Sequence, residues 1–210
     1  LLAAGITQLN LLVSHAIATM EKSAASWLTY ADRLYQLPLG IIGIAMGVAL
    51  LPTLTRRLRS GDEGGAKVTL NRAVEIAAFF TMPAAFALAT IPNFLLGALF
   101  ERGAFTAFTT NQVSMALEMF AYGLPAFVLL KVLTPAFFAR ENTKTPMIFA
   151  AISAVINVTL GLYLFINIGF QGLALATSVA GWVNVIALTL ILRKNGHFTP
   201  DNRLLTRVPR

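Results

Sequence analysis

The chain has 210 residues, 57% of them hydrophobic and 12% charged, and its net charge is +7. Its mean hydropathy is +0.72, and it has too few polar side chains to cover the surface of a soluble domain. This composition predicts an integral membrane protein. We expect no nucleic-acid partner, because the cations cluster beside apolar spans. The absence of cysteine excludes disulfides and thiolate chemistry.

Hydropathy predicts an all-α, polytopic membrane protein with a bundle of six transmembrane helices within residues 1–192. The spans are about 1–20, 27–54, 74–100, 112–139, 146–166 and 170–192. Residues 145–192 contain no Asp, Glu, Lys, Arg or His, and this uncharged segment is long enough for two spans and a turn. Residues 193–210 form a basic tail. Since the chain begins in mid-span without Met, we expect it to be part of a longer protein.

Basic residues alternate between the two sides of the predicted bundle. Twelve of the 16 Lys and Arg residues fall in the loops 55–73 and 140–145 and in the tail 193–210. Because cytoplasmic loops carry the excess of Lys and Arg, we expect these three segments to be cytoplasmic.

Asp32 and Arg33 lie inside the second span, where an ionisable side chain costs about 2.5–3.5 kcal/mol on insertion scales and often marks a substrate path. Adjacent residues point about 100° apart on a helix, so the two cannot share one cavity centre. Arg33 is the better candidate for binding substrate, because its guanidinium can grip phosphate or carboxylate with two hydrogen bonds. Asp32 is then a structural brace. The alternative is that both lie near the outer end, solvated.

The fourth span carries two further charges. Lys131 lies nine residues before Arg140, about 13 Å by helical rise, and either contributes to a cationic cavity or extends its amine to the interface. Glu118 lies near the outer end of this span, and we expect its carboxylate to be solvated. His15, in the first span, is expected to form a hydrogen bond between helices rather than a proton relay.

Small and kinking residues mark the second span. Gly40, Gly43 and Gly47 fall on one helical face, where they favour either close helix packing or, together with Pro38, a hinge. Prolines inside this and other spans remove backbone donors and predict kinked helices.

Three polar residues inside spans are weak candidates for a monovalent cation site: Asn10, Asn157 and Thr177. Packing between helices is the favoured alternative, since no carboxylate stands beside them. The chain has no phosphate-binding Gly-rich loop, no zinc-binding helix motif and no nucleophile elbow. We therefore expect neither an enzyme nor a cofactor, and leave monovalent ion coupling open.

Several motifs resemble the MurJ (MviN) family of lipid II flippases. They are Tyr30-Ala-Asp-Arg-Leu34, Pro38-Leu-Gly-Ile-Ile-Gly-Ile-Ala-Met-Gly47, Leu51-Pro-Thr-Leu54, Phe105-Thr-Ala-Phe108, Lys131-Val-Leu-Thr-Pro-Ala-Phe-Phe-Ala-Arg140, Lys144-Thr-Pro146 and Gly169-Phe-Gln-Gly-Leu-Ala-Leu-Ala176. The first three resemble the eighth transmembrane helix of the family. The resemblance covers nearly the whole chain.

The resemblance implies that the six spans correspond to helices seven to twelve of about fourteen, the second lobe of a two-lobed exporter of the MOP superfamily. Such proteins carry the lipid-linked peptidoglycan precursor lipid II across the bacterial cytoplasmic (inner) membrane by alternating access. Arg33 matches the family's essential cavity arginine. The expected partners are lipid II, the N-terminal lobe of the same protein and proteins of cell-wall synthesis.

The chain departs from the family where some members bind sodium. Their site includes an acidic residue on the seventh helix, whereas this chain has Ser14 and His15 in that stretch, which puts a sodium site in doubt. Two alternative functions stay open: another MOP-type exporter, for a polysaccharide-linked lipid or a drug, and a non-transporting membrane scaffold that recruits cell-wall enzymes through loop 55–73.

Overall fold

The computed structural model describes Glu21 and residues 23–199, and this part of the chain contains seven helices and no strand. The helices are α1 (Ala24–Arg59), α2 (Glu63–Thr90), α3 (Pro92–Phe100), α4 (Ala107–Ala121), α5 (Leu124–Phe138), α6 (Lys144–Ile168) and α7 (Gln171–Lys194). The all-α prediction is confirmed. The predicted span 1–20, with Asn10, Ser14 and His15, lies outside the described residues, as do residues 200–210 of the tail.

Four of the described helices, α1, α2, α6 and α7, are each long and apolar enough to cross a membrane. The α4 and α5 helices pass the same test together, with a bend of 41° between them. The chain is therefore a multi-pass membrane protein, with up to five spans in the described residues.

The bundle is built around α5, which packs against α1, α2 and α7. Its inward side is apolar and fully buried at Leu124, Val128 and Val132. The α1 helix also packs against α2 and α4, whereas α6 packs mainly against α7 and lies at the edge of the bundle. One side of α1 therefore remains uncovered by the other described helices.

The structure differs from the predicted loop at 55–73, which is helical except for a tight turn at 60–62. Arg56, Arg57 and Arg59 occupy the last turn of α1, where cations favour the negative end of the helix dipole. Gly61 takes a positive φ of 76°, and the Asp62 carboxylate then caps α2 by accepting from the Gly65 N–H at 2.7 Å. Hydropathy missed these turns because they are polar although helical.

The structure also divides two predicted spans. Residues 74–100 belong to α2 and α3, separated at Ile91, and residues 112–139 belong to α4 and α5, separated at 122–123. Both second helices have proline in their first turn, Pro92 and Pro125, where its missing N–H is tolerated. In contrast, Pro38 and Pro52 lie inside the continuous α1 helix.

The break between α4 and α5 is stabilised by side chains of α7. The Gly123 N–H bonds to the Phe120 carbonyl at 2.9 Å, three residues back, which leaves the Met119 carbonyl without its usual helical donor. The Ser178 hydroxyl donates to that carbonyl at 2.6 Å. In addition, the Trp182 indole donates to the Tyr122 carbonyl at 2.8 Å. The α7 helix thus satisfies backbone groups that a break inside a membrane would otherwise leave unpaired.

Aromatic rings gather at the end of the bundle where α1 begins. The ring centroid of Tyr30 lies 5.7 Å from that of Phe100 and 5.2 Å from that of Phe105. Trp27 packs in the same way against Phe108 and Phe170. Such a cluster is typical of a membrane interface, and it lies at the opposite end from the arginines that close α1.

Candidate functional site

Arg33 lies on the uncovered side of α1. Its side chain is exposed and forms no hydrogen bond or ion pair with any described residue. Apolar residues at helical spacing follow it on this side: Ile41, Ile44 and Val48 are 74%, 67% and 71% exposed. A permanent cation thus heads an otherwise apolar surface that the described helices leave open.

Arg33 lies in the first half of α1, one helical turn beyond Tyr30 of the aromatic cluster. The helix has 36 residues, about 54 Å by helical rise, and so exceeds the roughly 30 Å hydrocarbon core. The guanidinium therefore lies close to the mouth of any cavity that opens at the aromatic end.

Asp32 is half-buried, and its carboxylate accepts a hydrogen bond from the Gln36 amide, one turn further along α1. Tyr35, which no sequence pattern singled out, lies beside them. It is 4% exposed, stacks on Phe120 of α4, and its hydroxyl has no hydrogen-bond partner among the described residues. The only sequence signal was a tyrosine three residues after Asp32.

The three glycines of α1 do not share one environment. A Cβ on Gly43 would lie 3.1 Å from Cγ of Lys131, whereas Cβ atoms on Gly40 and Gly47 would meet no described atom within 4 Å. Gly43 therefore lets α5 approach α1. Gly40 and Gly47 extend the open surface that begins at Arg33.

Lys131 packs its aliphatic stem against Gly43 and is exposed. It forms no hydrogen bond or ion pair with a described residue. Gly43 follows Arg33 by ten residues, about 15 Å along the axis of α1. The structure therefore places both cations beside α1, at different depths.

Asn157 and Thr177 come together between α6 and α7, where the Thr177 hydroxyl lies 3.3 Å from the Asn157 amide oxygen. Asn10, the third candidate, lies outside the described residues. Within the described chain no three His, Cys, Asp or Glu residues form a group that could hold a metal ion. The pair itself supplies neutral oxygens only.

Glu118 is half-buried on α4, and its carboxylate accepts a hydrogen bond from the Tyr122 hydroxyl at 3.1 Å. Tyr122 lies in the break between α4 and α5, nine residues before Lys131 along the chain. The carboxylate thus has a local partner, and the two charges of the fourth predicted span remain separate.

The model of the family described as "Lipid II flippase MurJ" matches residues 1–210. The "Probable lipid II flippase MurJ" of Rhizobium meliloti (strain 1021) is 50% identical over 206 residues, which cover 98% of this chain and 38% of that protein. The "Lipid II flippase MurJ" of Burkholderia cenocepacia is 34% identical over 95% of this chain and 39% of its own length.

Solved structures agree with this match. One described as "Lipid II flippase MurJ, inward closed conformation" superposes with a TM-score of 0.83 at 29% identity, over 94% of this chain and 41% of that chain. An outward-facing MATE transporter of the MOP superfamily gives a TM-score of 0.82 at 12% identity, over 99% of this chain and 48% of that chain. This likeness concerns the fold alone. The chain spans about 40% of the length of the MurJ proteins it matches, and it belongs to the MurJ family of lipid II flippases.

Proposed function

We propose that the chain forms one lobe of a transporter that moves lipid II across the bacterial cytoplasmic membrane by alternating access. The family match supports the substrate class, and the fold supports the transporter class. The uncovered side of α1 is then the cavity wall that meets the N-terminal lobe of the same protein. No covalent chemistry is required of this lobe.

The exposed guanidinium of Arg33, at the head of the open surface of α1, is the observation that carries this proposal. Lipid II presents a pyrophosphate, whose charge cannot enter hydrocarbon without compensation. A guanidinium offers five donors in a planar fork, remains charged at any physiological pH, and binds phosphate oxygens in pairs. Arg33 thus lowers the barrier for the charged part of the substrate.

Lys131 contributes positive potential deeper in the same cavity. It lies about 15 Å from Arg33 along α1, so the pyrophosphate meets the two cations in succession rather than together. The bundle end that carries Arg56, Arg57 and Arg59 is proposed to be cytoplasmic by the positive-inside rule. A substrate entering from that side passes Lys131 before Arg33.

A rescue experiment with the full-length parent protein tests the proposal. The parent, Arg33→Ala and Arg33→Lys are expressed in cells depleted of their own lipid II flippase, and growth is scored at matched levels in the membrane. We expect rescue by the parent, none by Arg33→Ala, and partial rescue by Arg33→Lys, because lysine keeps the charge but lacks the planar fork.

Arg56→Ala is the matched control, since Arg56 is an exposed arginine on the same helix at the opposite end. Rescue by Arg56→Ala supports a specific role for Arg33. If Arg33→Ala rescues as well as the parent, Arg33 is not part of the transport path. Failure of Arg56→Ala with success of Arg33→Ala would instead favour a scaffold that acts through its basic end.

A further inference from the structure

A second cationic feature lies in a groove between the last turns of α1 and the first turns of α2. The groove has a volume of about 380 Å³, which falls in the usual range for small-molecule sites. It lies at the end of the bundle that carries Arg56, Arg57 and Arg59. Arg57 lies 24 residues after Arg33, about 36 Å along α1, so this groove is separate from the proposed pyrophosphate contact.

The walls of the groove are apolar over most of their length. Met46 and Leu50 line it from α1, and Ala73 and Ile76 line it from α2. Ile76 is 39% exposed, so the groove opens sideways onto the surface that meets lipid. The hydroxyls of the two threonines in its lining already donate to carbonyls of their own helices. The groove therefore suits a hydrocarbon chain.

Two arginines, Arg57 and Arg72, complete the lining. Arg72 is exposed and follows Val68 by one turn, within the apolar stripe that continues to Ile76. It forms no hydrogen bond or ion pair with a described residue. Because side chains lean toward the N-terminus of their helix, the side chain of Arg72 leans toward the basic end of the bundle.

Arg57 is held in place over Gly65. Its Nη1 donates to the Asp62 carboxylate at 3.1 Å, and a Cβ on Gly65 would lie only 2.0 Å from the same nitrogen. The guanidinium has five N–H donors in all, and the bond to Asp62 uses one. The nearby carboxylate of Glu63 is already bonded to Arg140 at 2.9 Å. The local charge available to a ligand is therefore positive.

We propose that this groove binds an anionic phospholipid of the cytoplasmic leaflet, with the phosphate between Arg57 and Arg72 and an acyl chain along the apolar walls. The combination of two guanidinium groups and otherwise mostly apolar walls matches an anionic amphiphile. The inference rests on the orientation proposed above, and it is independent of the flippase activity. Loss of transport in Arg33→Ala would leave it standing.

Native mass spectrometry of the full-length parent, taken from nanodiscs that contain phosphatidylglycerol and phosphatidylethanolamine, tests the site. We expect retained phosphatidylglycerol with the parent, and about thirtyfold weaker retention with Arg57→Gln/Arg72→Gln, since each basic residue near the surface contributes about 1 kcal/mol toward anionic lipid. The single variant Arg72→Gln, which leaves the Arg57 ion pair intact, should show a smaller loss in the same direction.

Two controls distinguish the groove from general surface charge. Arg56→Gln/Arg59→Gln removes the same charge from two exposed residues in the last turn of α1 that do not line the groove, and should retain the lipid. Ala49→Trp fills the groove from an exposed position of α1 without changing charge, and should weaken retention.

Three outcomes would overturn the proposal. The first is equal retention in the parent and Arg57→Gln/Arg72→Gln. The second is an equal loss in Arg56→Gln/Arg59→Gln, which would indicate attraction without a site. The third is displacement of phosphatidylglycerol by added undecaprenyl pyrophosphate, which would assign the groove to the polyprenyl substrate instead.

Discussion

Arg33 and Lys131 show how far single residues can be interpreted from sequence. A charge between apolar runs was enough to single out each of them, and the structure places both beside α1. Sequence position already indicated that Lys131 lies deeper than Arg33. Its contact with α1 was not predictable, because Lys131 approaches α1 where Gly43 lacks a side chain. Helical spacing gives the face of a residue on its own helix, whereas its neighbour depends on tertiary packing.

The same limit applies to the glycines and to Tyr35. Spacing predicted one common face for Gly40, Gly43 and Gly47, yet only Gly43 contacts a described neighbour. Tyr35 is buried against α4 with its hydroxyl unpaired in the described chain, a position that no local pattern indicates.

His197 lies outside the membrane-spanning helices, and its protonation leads to a testable prediction. The segment after α7 folds back onto α2, where the Asn71 amide donates to the Thr199 carbonyl at 2.9 Å and Phe198 is buried. Partial burial lowers the pKa of the His197 imidazole below its ordinary 6.5; Arg140 and Lys67 act in the same direction, and Glu63 opposes them.

Because the folded segment disfavours the protonated imidazole, it binds fewer protons than the undocked segment, and docking weakens as pH falls. The penalty begins near pH 6.5 and is complete below the pKa of the docked state. A nitroxide label attached to Thr199→Cys in the full-length parent should become more mobile as the pH is lowered from 7.5 to 5. His197→Gln should flatten this pH profile. An unchanged profile in that variant would remove His197 as the cause.

At the scale of elements, the division between α4 and α5 depends on close contact with α7. A Cβ on Gly123 would lie 2.5 Å from the Ser178 hydroxyl and 2.9 Å from the Ser178 Cα. Since one of these atoms is backbone, α7 itself would have to shift. The contact also carries the Ser178 hydrogen bond to Met119.

Gly123→Ala should therefore destabilise the full-length parent by about 1–3 kcal/mol, the usual cost of overpacking. Thermal unfolding followed by tryptophan fluorescence measures the change. Gly97→Ala is the matched control, because its Cβ would meet only an ordinary contact at 3.5 Å. Equal melting temperatures for the two variants would show that the close contact between Gly123 and α7 does not stabilise the protein.

Hydropathy and proline positions account for most, but not all, of the elements. Apolar runs predicted helical spans wherever the described residues contain long helices, because a membrane demands about 20 apolar residues in a row. The polar turns of α1 and α2 within 55–73 escaped this criterion. Proline predicted kinks inside spans. The α1 helix continues through Pro38 and Pro52, whereas new helices begin at Pro92 and Pro125. Whether a proline bends or divides a helix depends on the partners available to the freed carbonyls.

At the scale of the whole molecule, the charge asymmetry makes a prediction about orientation. The end with Arg56, Arg57 and Arg59 is expected in the cytoplasm, and the aromatic end outside. The chain lacks cysteine, so single cysteines can be introduced at Ser60 and Ala104, exposed positions at opposite ends. In intact cells expressing a full-length parent without other cysteines, a membrane-impermeant thiol reagent should label Ala104→Cys and spare Ser60→Cys. The reverse pattern would invert the proposed topology and the order in which substrate meets the two cations.

The open side of α1 connects these scales. A cation, two glycines and a row of exposed apolar residues form a surface that the described helices do not cover, and a two-lobed transporter would place its cavity there. We therefore expect transport to depend most on Arg33 acting directly in movement of the substrate.

The most direct measurement is the amount of lipid II in the outer leaflet of cells depleted of their own flippase, assessed by its accessibility to an externally added lipid II-cleaving enzyme. We predict that the full-length parent restores outer-leaflet lipid II, and that Arg33→Ala, inserted at the same level, does not. Equal restoration by the parent and by Arg33→Ala would show that this guanidinium does not carry the pyrophosphate across.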